Sequence, residues 1–583
     1  MLTKTWIVAP SAPKKILKQY TGMSPIIAQL LYNRGIQTAE EAHHFLYDRD
    51  VASVAGDPRN MKDMQKGITR IRKAIKSGEP IVVYGDFDAD GVTSTTLMMD
   101  VLTKLKANVS AYIPHRVDEG YGLNSPALQE LADNGAKVVI TVDCGIRAVD
   151  EVRDANAAGL TMIITDHHSI GPEIPPAYAV INPQQVDCAG DKNLAGVGVA
   201  FMTARALLLD ALEKNGNKPK HRKIYKEMLD DLLDLVAIGT VADIMPLNTP
   251  INRAIVRHGL NIINQGKRPG IRALMDVAGL KLGRVTAMGI GFGLGPRINA
   301  AGRLDSALEA YKLLSAPDED DAKKYADRLQ NLNSERQRLT RESQARIRAN
   351  LEEHTNLEQA NLLFAVDEDV VPGIVGLVAG RLTEEFYRPT VVVEKGHDEC
   401  HASCRSIPDF HITQALDECA DILVRHGGHA MAAGLTVLPE NLPILQKRLE
   451  DKAHEILEGM TLTPTISVDM ELTMREATIA LAKELNVLEP TGHANEQAVF
   501  MSRNLEVVEI KTVGANKDHL KLKLKGDGEP PIDAIGFRLG EWAYDLPSHI
   551  DVVYNLEINE WQGRRNLQLN LRDIRPAEES AAV

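Results

Sequence analysis

Short runs of aliphatic and β-branched residues recur in the first half of the chain at 81–84 (Ile-Val-Val-Tyr), 137–142 (Lys-Val-Val-Ile-Thr-Val) and 161–164 (Thr-Met-Ile-Ile). They are apolar nearly throughout, the pattern of strands buried on both faces. Between them, residues 93–105, 125–134 and 146–158 read as helices. Strands alternating with helices predict a parallel α/β sheet. Further on, an apolar helix at 232–238 leads into Gly239-Thr240-Val241-Ala242-Asp243-Ile244-Met245-Pro246-Leu247, and 213–222 reads as a polar loop. Residues 307–353 contain no Gly and are laced with charge, which predicts a long connector helix. A second α/β unit follows, with strands at 361–366 and 390–394, a helix at 375–386 between them, and helices around 412–425 and 442–457. Alternation returns at 507–513, 520–524, 552–558 and 567–571, predicting a small β-barrel. The first 55 residues read as helical, with a Gly stop at Asn33-Arg34-Gly35-Ile36, and are expected to pack on the first α/β domain. The resulting division is 1–55, 56–310, 311–357, 358–460 and 461–583.

Polar residues cluster where the strands end. Asp86-Phe87-Asp88-Ala89-Asp90-Gly91 follows the first strand, Asp143-Cys144-Gly145 the second and Thr165-Asp166-His167-His168 the third. Sites in parallel sheets form at the carboxyl ends of strands. Carboxylates gathered there repel one another unless a cation neutralises them. Gly91 is expected to let the chain turn sharply. Carboxylates with imidazole and no thiolate suit Mn²⁺ or Mg²⁺ better than structural zinc. Five or six such ligands would serve two ions about 3.5–4 Å apart, an arrangement for phosphoryl transfer. A Ca²⁺ loop is disfavoured because no Glu stands at loop position 12 and the flanks are strand-like. A second grouping, His397, Cys400, His401 and Cys404, could hold zinc or could be a solvated hairpin whose far strand presents Ser403 and Arg405.

The elements Asp-Phe-Asp-Ala-Asp-Gly, Val-Asp-Cys-Gly, Thr-Asp-His-His and Val-Ala-Asp-Ile-Met-Pro-Leu, in this order, resemble the DHH phosphoesterases. The segments 295–304 (Gly-Pro-Arg-Ile-Asn-Ala-Ala-Gly-Arg-Leu), 427–434 (Gly-Gly-His-Ala-Met-Ala-Ala-Gly) and 556–561 (Leu-Glu-Ile-Asn-Glu-Trp) resemble the branch of that family that degrades single-stranded DNA 5′→3′. The resemblance spans nearly the whole chain. It implies a parallel-sheet DHH domain, a connector helix, a second α/β DHH-associated domain and a C-terminal OB-type β-barrel. It implies two divalent ions, Mn²⁺ or Mg²⁺, held by Asp88, Asp90, Asp143, His167, His168 and Asp243. Asp143 would bridge them, and His168 would bind metal or the scissile phosphate. Asp86 and Asp166 would orient these ligands by hydrogen bonding. Arg297 and Arg303 would neutralise phosphate, completing a catalytic set with Asp88, Asp90, Asp143 and His168. Arg116, Ser403 and Arg405 would hold the 5′-terminal phosphate, with His429, in a Gly-rich loop, and Asn299 as further substrate contacts. Two positions depart from that branch: Val371 where His is common, and Cys404 where Gly or Ala is usual.

The implied activity is metal-dependent hydrolysis of single-stranded DNA to 5′ mononucleotides, in repair and recombination. The implied partners are a single-strand-binding protein and a helicase. A phosphodiesterase of short oligonucleotides or cyclic dinucleotides would share the metal residues but tends to lack the barrel, and a non-catalytic scaffold would be expected to have lost ligands. Among the barrel aromatics Phe537, Trp542, Tyr544, Tyr554 and Trp561, core packing suits most, and Trp561 beside Arg564 is the stacking candidate. Five irregularly spaced Cys suit a reducing compartment, and no signal-peptide core or 18-residue apolar run is present, so a cytoplasmic, nucleoid-associated location is expected. The net charge of −14 runs against nucleic-acid binding until the acid at the metal residues is set aside. Arg336, Arg338, Arg341, Arg346 and Arg348 form a basic cluster that reads equally as DNA contact or as a solvated helix face.

Overall fold

A computed structural model describes residues 4–47, 50–116, 119–120, 122–357, 359–561 and 563–577. The side chain of Trp561 lies outside the described residues, so its stacking assignment has no counterpart here. The chain divides into two compact units, one formed by residues 49–462 and the other by 1–48 with 463–583.

In the larger unit five strands make a parallel sheet: β1 (Ile81–Gly85), β2 (Val109–Tyr112), β3 (Val138–Val142), β4 (Thr161–Thr165) and β5 (Ala179–Ile181). Their order is β2-β1-β3-β4-β5. Side chains alternate between two cores, as the pleat requires. Ile81, Val83, Val138, Ile140 and Val142 pack under one set of helices. Val82, Tyr84, Val139, Met162 and Ile164 pack under Leu128, Val152 and Ala155 on the other face. The chain leaves β1 in one direction to β2 and then crosses to β3 on the other side. The crevice between the ends of β1 and β3 is therefore a topological switch point, where open α/β sheets bind ligands.

Helix α1 (Ala89–Lys104) starts earlier than its apolar pattern suggests. Asp88 caps it, accepting from the Asp90 and Gly91 amides at 2.8 and 3.0 Å. The Asp-x-Asp-x-Asp-Gly motif is thus a strand-to-helix junction rather than a free loop. Gly91 is helical, and its role is close approach: a Cβ there would lie 2.4 Å from the Asp86 carbonyl oxygen. Helices α2 (Gly196–Lys214) and α3 (Pro219–Ala242) pack on the same face, leaving only 215–218 of the expected polar loop.

Helix α4 (Gly295–Leu304) leads through a short helix, Leu308–Leu314, to α5 (Glu319–His354), the connector. The break at Pro317 divides the predicted helix, and Asp318 caps its second part through the Asp320 and Asp321 amides. Beyond it, β6 (Leu363–Asp367), helix α6 (Val375–Phe386), β7 (Thr390–Glu394), β8 (Cys400–Arg405), β9 (Leu423–His429) and β10 (Ala432–Val437) form the second α/β lobe. Its sheet order is β9-β10-β8-β7-β6, with only β6–β7 parallel. The helix expected across 412–425 stops at Asp417, and the segment with Gly427, Gly428 and His429 is the edge strand β9 rather than a loop. Cys400 and Cys404 face the core of β8 while His401 lies on the opposite face, so the zinc grouping is not assembled.

The smaller unit holds a closed barrel of five strands, β11 (Phe500–Val513), β12 (His519–Lys525), β13 (Ile532–Gly536), β14 (His549–Trp561) and β15 (Arg564–Pro576), closed by β11 pairing with β14. Leu520, Leu522 and Leu524 point inward while Lys523 and Lys525 are exposed. The N-terminal segment packs here, not on the first α/β domain. Thr5–Val8 pairs in parallel with Thr465–Val468, and Ile27, Leu30 and Leu31 of helix Pro25–Asn33 share the barrel's core. An amphipathic helix shows which face is buried but not its partner, so the sequence could not distinguish the two. Residues 51–55 instead pack in the larger unit through Val51.

Candidate metal centre and substrate cleft

The strand ends bring Asp86, Asp88, Asp90, Asp143, His167 and His168 to the switch point, and the end of α3 adds Asp243. Three overlapping groups have donor atoms within 4.8 Å of one another: Asp86, Asp88 and Asp143; Asp90, His167 and Asp243; Asp143, His167 and His168. His167 Nε2 stands 3.2 Å from Asp143 Oδ1, 3.5 Å from Asp243 Oδ2 and 3.8 Å from Asp90 Oδ2. Asp86 Oδ1, Asp143 Oδ1 and His167 Nε2 are buried without a hydrogen-bond partner. Unsatisfied buried polar atoms are rare and call for an explanation such as an ion. Oxygen donors with an imidazole fit a hard divalent cation. The partnerless Asp86 Oδ1 departs from the orienting role expected of Asp86, because it faces the same group as Asp88 and Asp143.

Electrostatics follow from this crowding. Burial, then the charge of Asp88, pushes Asp90 up to about 7. Burial, then Asp90 and Asp88, pushes Asp243 up to about 9. Asp86 and Asp143 are driven well above the usual carboxylate range by burial and by neighbouring carboxylates. Burial, then repulsion by His168, lowers His167 to about 4, so its imidazole is neutral and Nε2 can donate a lone pair. Burial also opposes a charged His168, but the hydrogen bond and charge of Asp166 outweigh it and raise His168 to about 9.

Asp166 is saturated. Its Oδ1 accepts from the His167 and His168 amides and faces His168 Nδ1 at 2.8 Å, and its Oδ2 accepts from the Ile146 amide. Asp90 is braced by the first amides of α2, Gly196 at 2.6 Å and Val197 at 2.8 Å. Sequence reasoning missed these two donors because they act through the backbone. Their signal was the small-residue run Ala195-Gly196-Val197-Gly198-Val199-Ala200. A Cβ on Gly196 would lie 2.4 Å from Asp143 Oδ1, so only glycine fits. Asp143 itself has φ 64°, the left-handed region, at the tip of β3. Asn299 accepts from the Ala89 amide at 2.7 Å, which ties α4 to the motif.

Cationic residues face this cluster from α4, α5 and the second lobe. Arg303 donates to the Gly373 carbonyl at 2.9 Å, and a Cβ on Gly373 would lie 2.1 Å from the Arg303 carbonyl oxygen. Burial first, then Arg116, Arg336 and Arg405, lower Arg303 to about 10, while Asp88 acts the other way. These four guanidinium groups and Asp88 therefore share one region. The Arg116 guanidinium stacks 4.8 Å from the Phe87 ring centre. Arg405 donates to Ser403 Oγ at 3.2 Å, and a Cβ on Gly376, in the first turn of α6, would lie 2.8 Å from that Oγ. Arg297 instead bonds Gln330 Oε1 and the Gly293 and Val277 carbonyls. Of the basic cluster on α5, Arg338, Arg346 and Arg348 are held in ion pairs and Arg341 is exposed, whereas Arg336 is half-buried with Nε unpartnered. His429 and Gly428 line a cavity of about 390 Å³ with Gly122, Ile146, His167 and His168. Val371 immediately precedes the Pro372–Ile374 turn, and Cys404 points into the core, away from the Ser403 and Arg405 face.

Three family models match the chain: the DHH family N-terminal domain over residues 80–240, the DHHA1 domain over 359–455 and the RecJ OB domain over 468–573. The single-stranded-DNA-specific exonuclease RecJ of Bacillus subtilis is 38% identical over 571 residues, which cover 97% of this chain and 70% of that protein. Its counterpart from Dickeya dadantii is 34% identical over 95% of this chain and 96% of its own. This chain belongs to the RecJ family. A crystal structure of RecJ in complex with Mn²⁺ from Thermus thermophilus has a TM-score of 0.82 at 28% identity, covering 98% of this chain and 80% of that one. The RecJ–Mg²⁺ complex from the same organism has a TM-score of 0.76 at 26% identity, covering 98% and 79%.

In this RecJ-family chain the barrel aromatics divide differently from expectation. Tyr554 is fully buried and Trp542 packs partly on the core, but Phe537 and Tyr544 are 57% and 87% exposed. No helix among the described residues is long and apolar enough to cross a membrane.

Proposed function

We propose that this chain is a metal-dependent exonuclease that degrades single-stranded DNA 5′→3′ to 5′ mononucleotides in repair and recombination. The observation that carries this reading is the switch-point cluster, where three buried ligand atoms without hydrogen-bond partners, on Asp86, Asp143 and His167, meet a group of arginines. Asp88, Asp90, Asp143, His167 and Asp243 would hold two Mn²⁺ or Mg²⁺ ions, with Asp143 between them and Asp86 available as a further ligand. Such ions supply activation of water and stabilisation of charge on the phosphoryl oxygens.

The chain's own residues do the rest. Asp166 fixes both histidines, so His167 keeps its lone pair toward the cluster and His168 stays protonated to meet a phosphate oxygen. Arg303, close enough to feel the charge of Asp88, is the arginine assigned to the scissile phosphate, whereas Arg297 braces α4 against Gln330 on α5. Arg116, Ser403 and Arg405, beside the first turn of α6, form the pocket for the 5′-terminal phosphate, since a helix N-terminus favours anions. His429 and Gly428 bring the second lobe to the cleft wall. The exposed Phe537 and Tyr544 supply stacking surface on the barrel. A cytoplasmic, nucleoid-associated location follows from this reading, with a single-strand-binding protein and a strand-opening helicase as partners.

The test is digestion of a labelled single strand, the matching duplex and a dinucleotide, each with Mn²⁺ and with EDTA. Release from the single strand alone, dependent on Mn²⁺, is expected. Dinucleotide cleavage without single-strand degradation would instead identify a small-substrate phosphodiesterase.

A further inference from the structure

The segment joining β2 to helix Ser125–Asp133 carries Arg116, and one carboxylate gathers its ends. Glu119 accepts from the Tyr112 hydroxyl at 2.6 Å, the His115 amide at 2.7 Å and Asn124 Nδ2 at 3.0 Å. Its own amide donates to the His115 carbonyl at 2.9 Å. Tyr112 is the last residue of β2, and Asn124 caps the following helix by accepting from the Ala127 amide at 2.7 Å. Three hydrogen bonds thus converge on a single side chain from the end of β2, from His115 near the start of the segment and from Asn124 at its end. The Tyr84 hydroxyl, two residues before Asp86, donates to the Gly122 carbonyl at 3.1 Å and anchors the same segment to β1. Arg116 directly follows the clamped His115 amide, and its guanidinium lies on Phe87, between Asp86 and Asp88. Burial would raise the Glu119 carboxyl, but the hydrogen bonds from Tyr112, His115 and Asn124 outweigh it and keep it below its ordinary value.

Glu119 is too deeply committed to these partners to meet substrate. We propose that it is a positioning residue, which holds Arg116 where the 5′-terminal phosphate is received and so sets the preference for 5′-phosphorylated ends. This rests on the reading of Arg116 as a 5′-phosphate contact. A glutamine at 119 keeps one acceptor oxygen for the His115 amide, but its amide nitrogen cannot accept from Tyr112 or Asn124. The segment would then lose its register without losing its helix cap or the metal residues.

The experiment compares steady-state kinetics on 5′-phosphorylated and 5′-hydroxyl single strands in Mn²⁺ for the wild type, Arg116→Ala, Glu119→Gln and Tyr112→Phe. Arg116→Ala is expected to abolish the preference for phosphate. Glu119→Gln should raise KM for the phosphorylated strand about tenfold, leave kcat within about twofold and leave the 5′-hydroxyl strand unaffected, the signature of lost ground-state binding. Tyr112→Phe should fall between wild type and Glu119→Gln. If Arg116→Ala loses the preference and Glu119→Gln retains it, the positioning role is wrong and the 5′-phosphate pocket stands. If Arg116→Ala retains the preference, the pocket assignment itself fails and the positioning role falls with it. An equal loss of kcat on both strands in Glu119→Gln would assign the residue a purely structural role and overturn the proposal.

Discussion

Asp143 shows how much of a site depends on neighbours that carry no chemistry. Its left-handed backbone turns the carboxylate into the crevice, a conformation that Asp tolerates better than most residues. Gly196 makes that position possible by having no Cβ, and it braces Asp90 with its amide. Gly196→Ala should therefore displace Asp143 and weaken Mn²⁺ binding about 10–100-fold, the cost usual for losing support of a ligand. Isothermal titration with Mn²⁺ reads this directly, and a change below about twofold would contradict it. The aspartates and histidines were legible because ligand-type side chains stood after apolar runs. The glycine and the Val197 amide were not, since backbone donors leave no side-chain signature beyond the small residues of 195–200. Asp86 was read as an orienting group because sequence cannot tell a saturated carboxylate from one with an oxygen left over. In the structure it is Asp166 that is saturated and Asp86 that is not.

Among the elements, strands buried on both faces were the easiest to read, and β1, β3, β4 and β7 lie within a residue or two of expectation. Segments whose Gly content suggested loops were the hardest. Gly91 sits inside α1 and Gly427 inside β9, because close packing rather than turning explains the first and an exposed edge tolerates the second. The connector α5 shows what holds a long polar helix in place. Arg346 grips Asp367 of β6 through two hydrogen bonds of 2.8 Å, joining the helix to the second lobe. Burial would raise the Asp367 pKa, but the Arg346 fork and the Asp369 and Val370 amides outweigh it and hold it below its ordinary value. A carboxyl lowered by folding stabilises fully above its unfolded value and loses that contribution as pH falls through the folded one. Arg346 is substantially exposed, so the fork contributes only about 1 kcal/mol. Asp367→Asn should lower the urea midpoint of the catalytic unit at neutral pH, and the two curves should converge as pH falls below about 4, the unfolded value of an aspartate. A gap that persists or widens in acid would contradict this.

The whole chain carries a net charge of −14, and a share of that acid is concentrated at the switch point. Buried carboxylates driven above their ordinary range store repulsion that a divalent cation relieves. Mn²⁺ should therefore stabilise the unit of residues 49–462, by about 2.7 kcal/mol at a concentration one hundred times its Kd. The barrel unit contains no part of the cluster and should be indifferent. Differential scanning calorimetry with Mn²⁺ and with EDTA tests this, and equal shifts of both units would contradict it. Domain order was legible along the sequence, but the return of the N-terminal segment to the barrel was not, because that pairing joins Thr5 to Thr465, far apart along the chain.

In the proposed function, hydrolysis is metal-dependent, begins at the 5′ end and depends on Asp143. Its most direct measurement is a time course on one 5′-phosphorylated single strand labelled at either end, with Mn²⁺ or EDTA, using wild type and Asp143→Ala. The 5′ label should leave at once as mononucleotide while the 3′-labelled strand shortens progressively. No cleavage is expected in EDTA, and Asp143→Ala should still bind the strand by fluorescence anisotropy but lose nearly all hydrolysis. Early release of the 3′ label, cleavage in EDTA, or wild-type turnover by Asp143→Ala would contradict it.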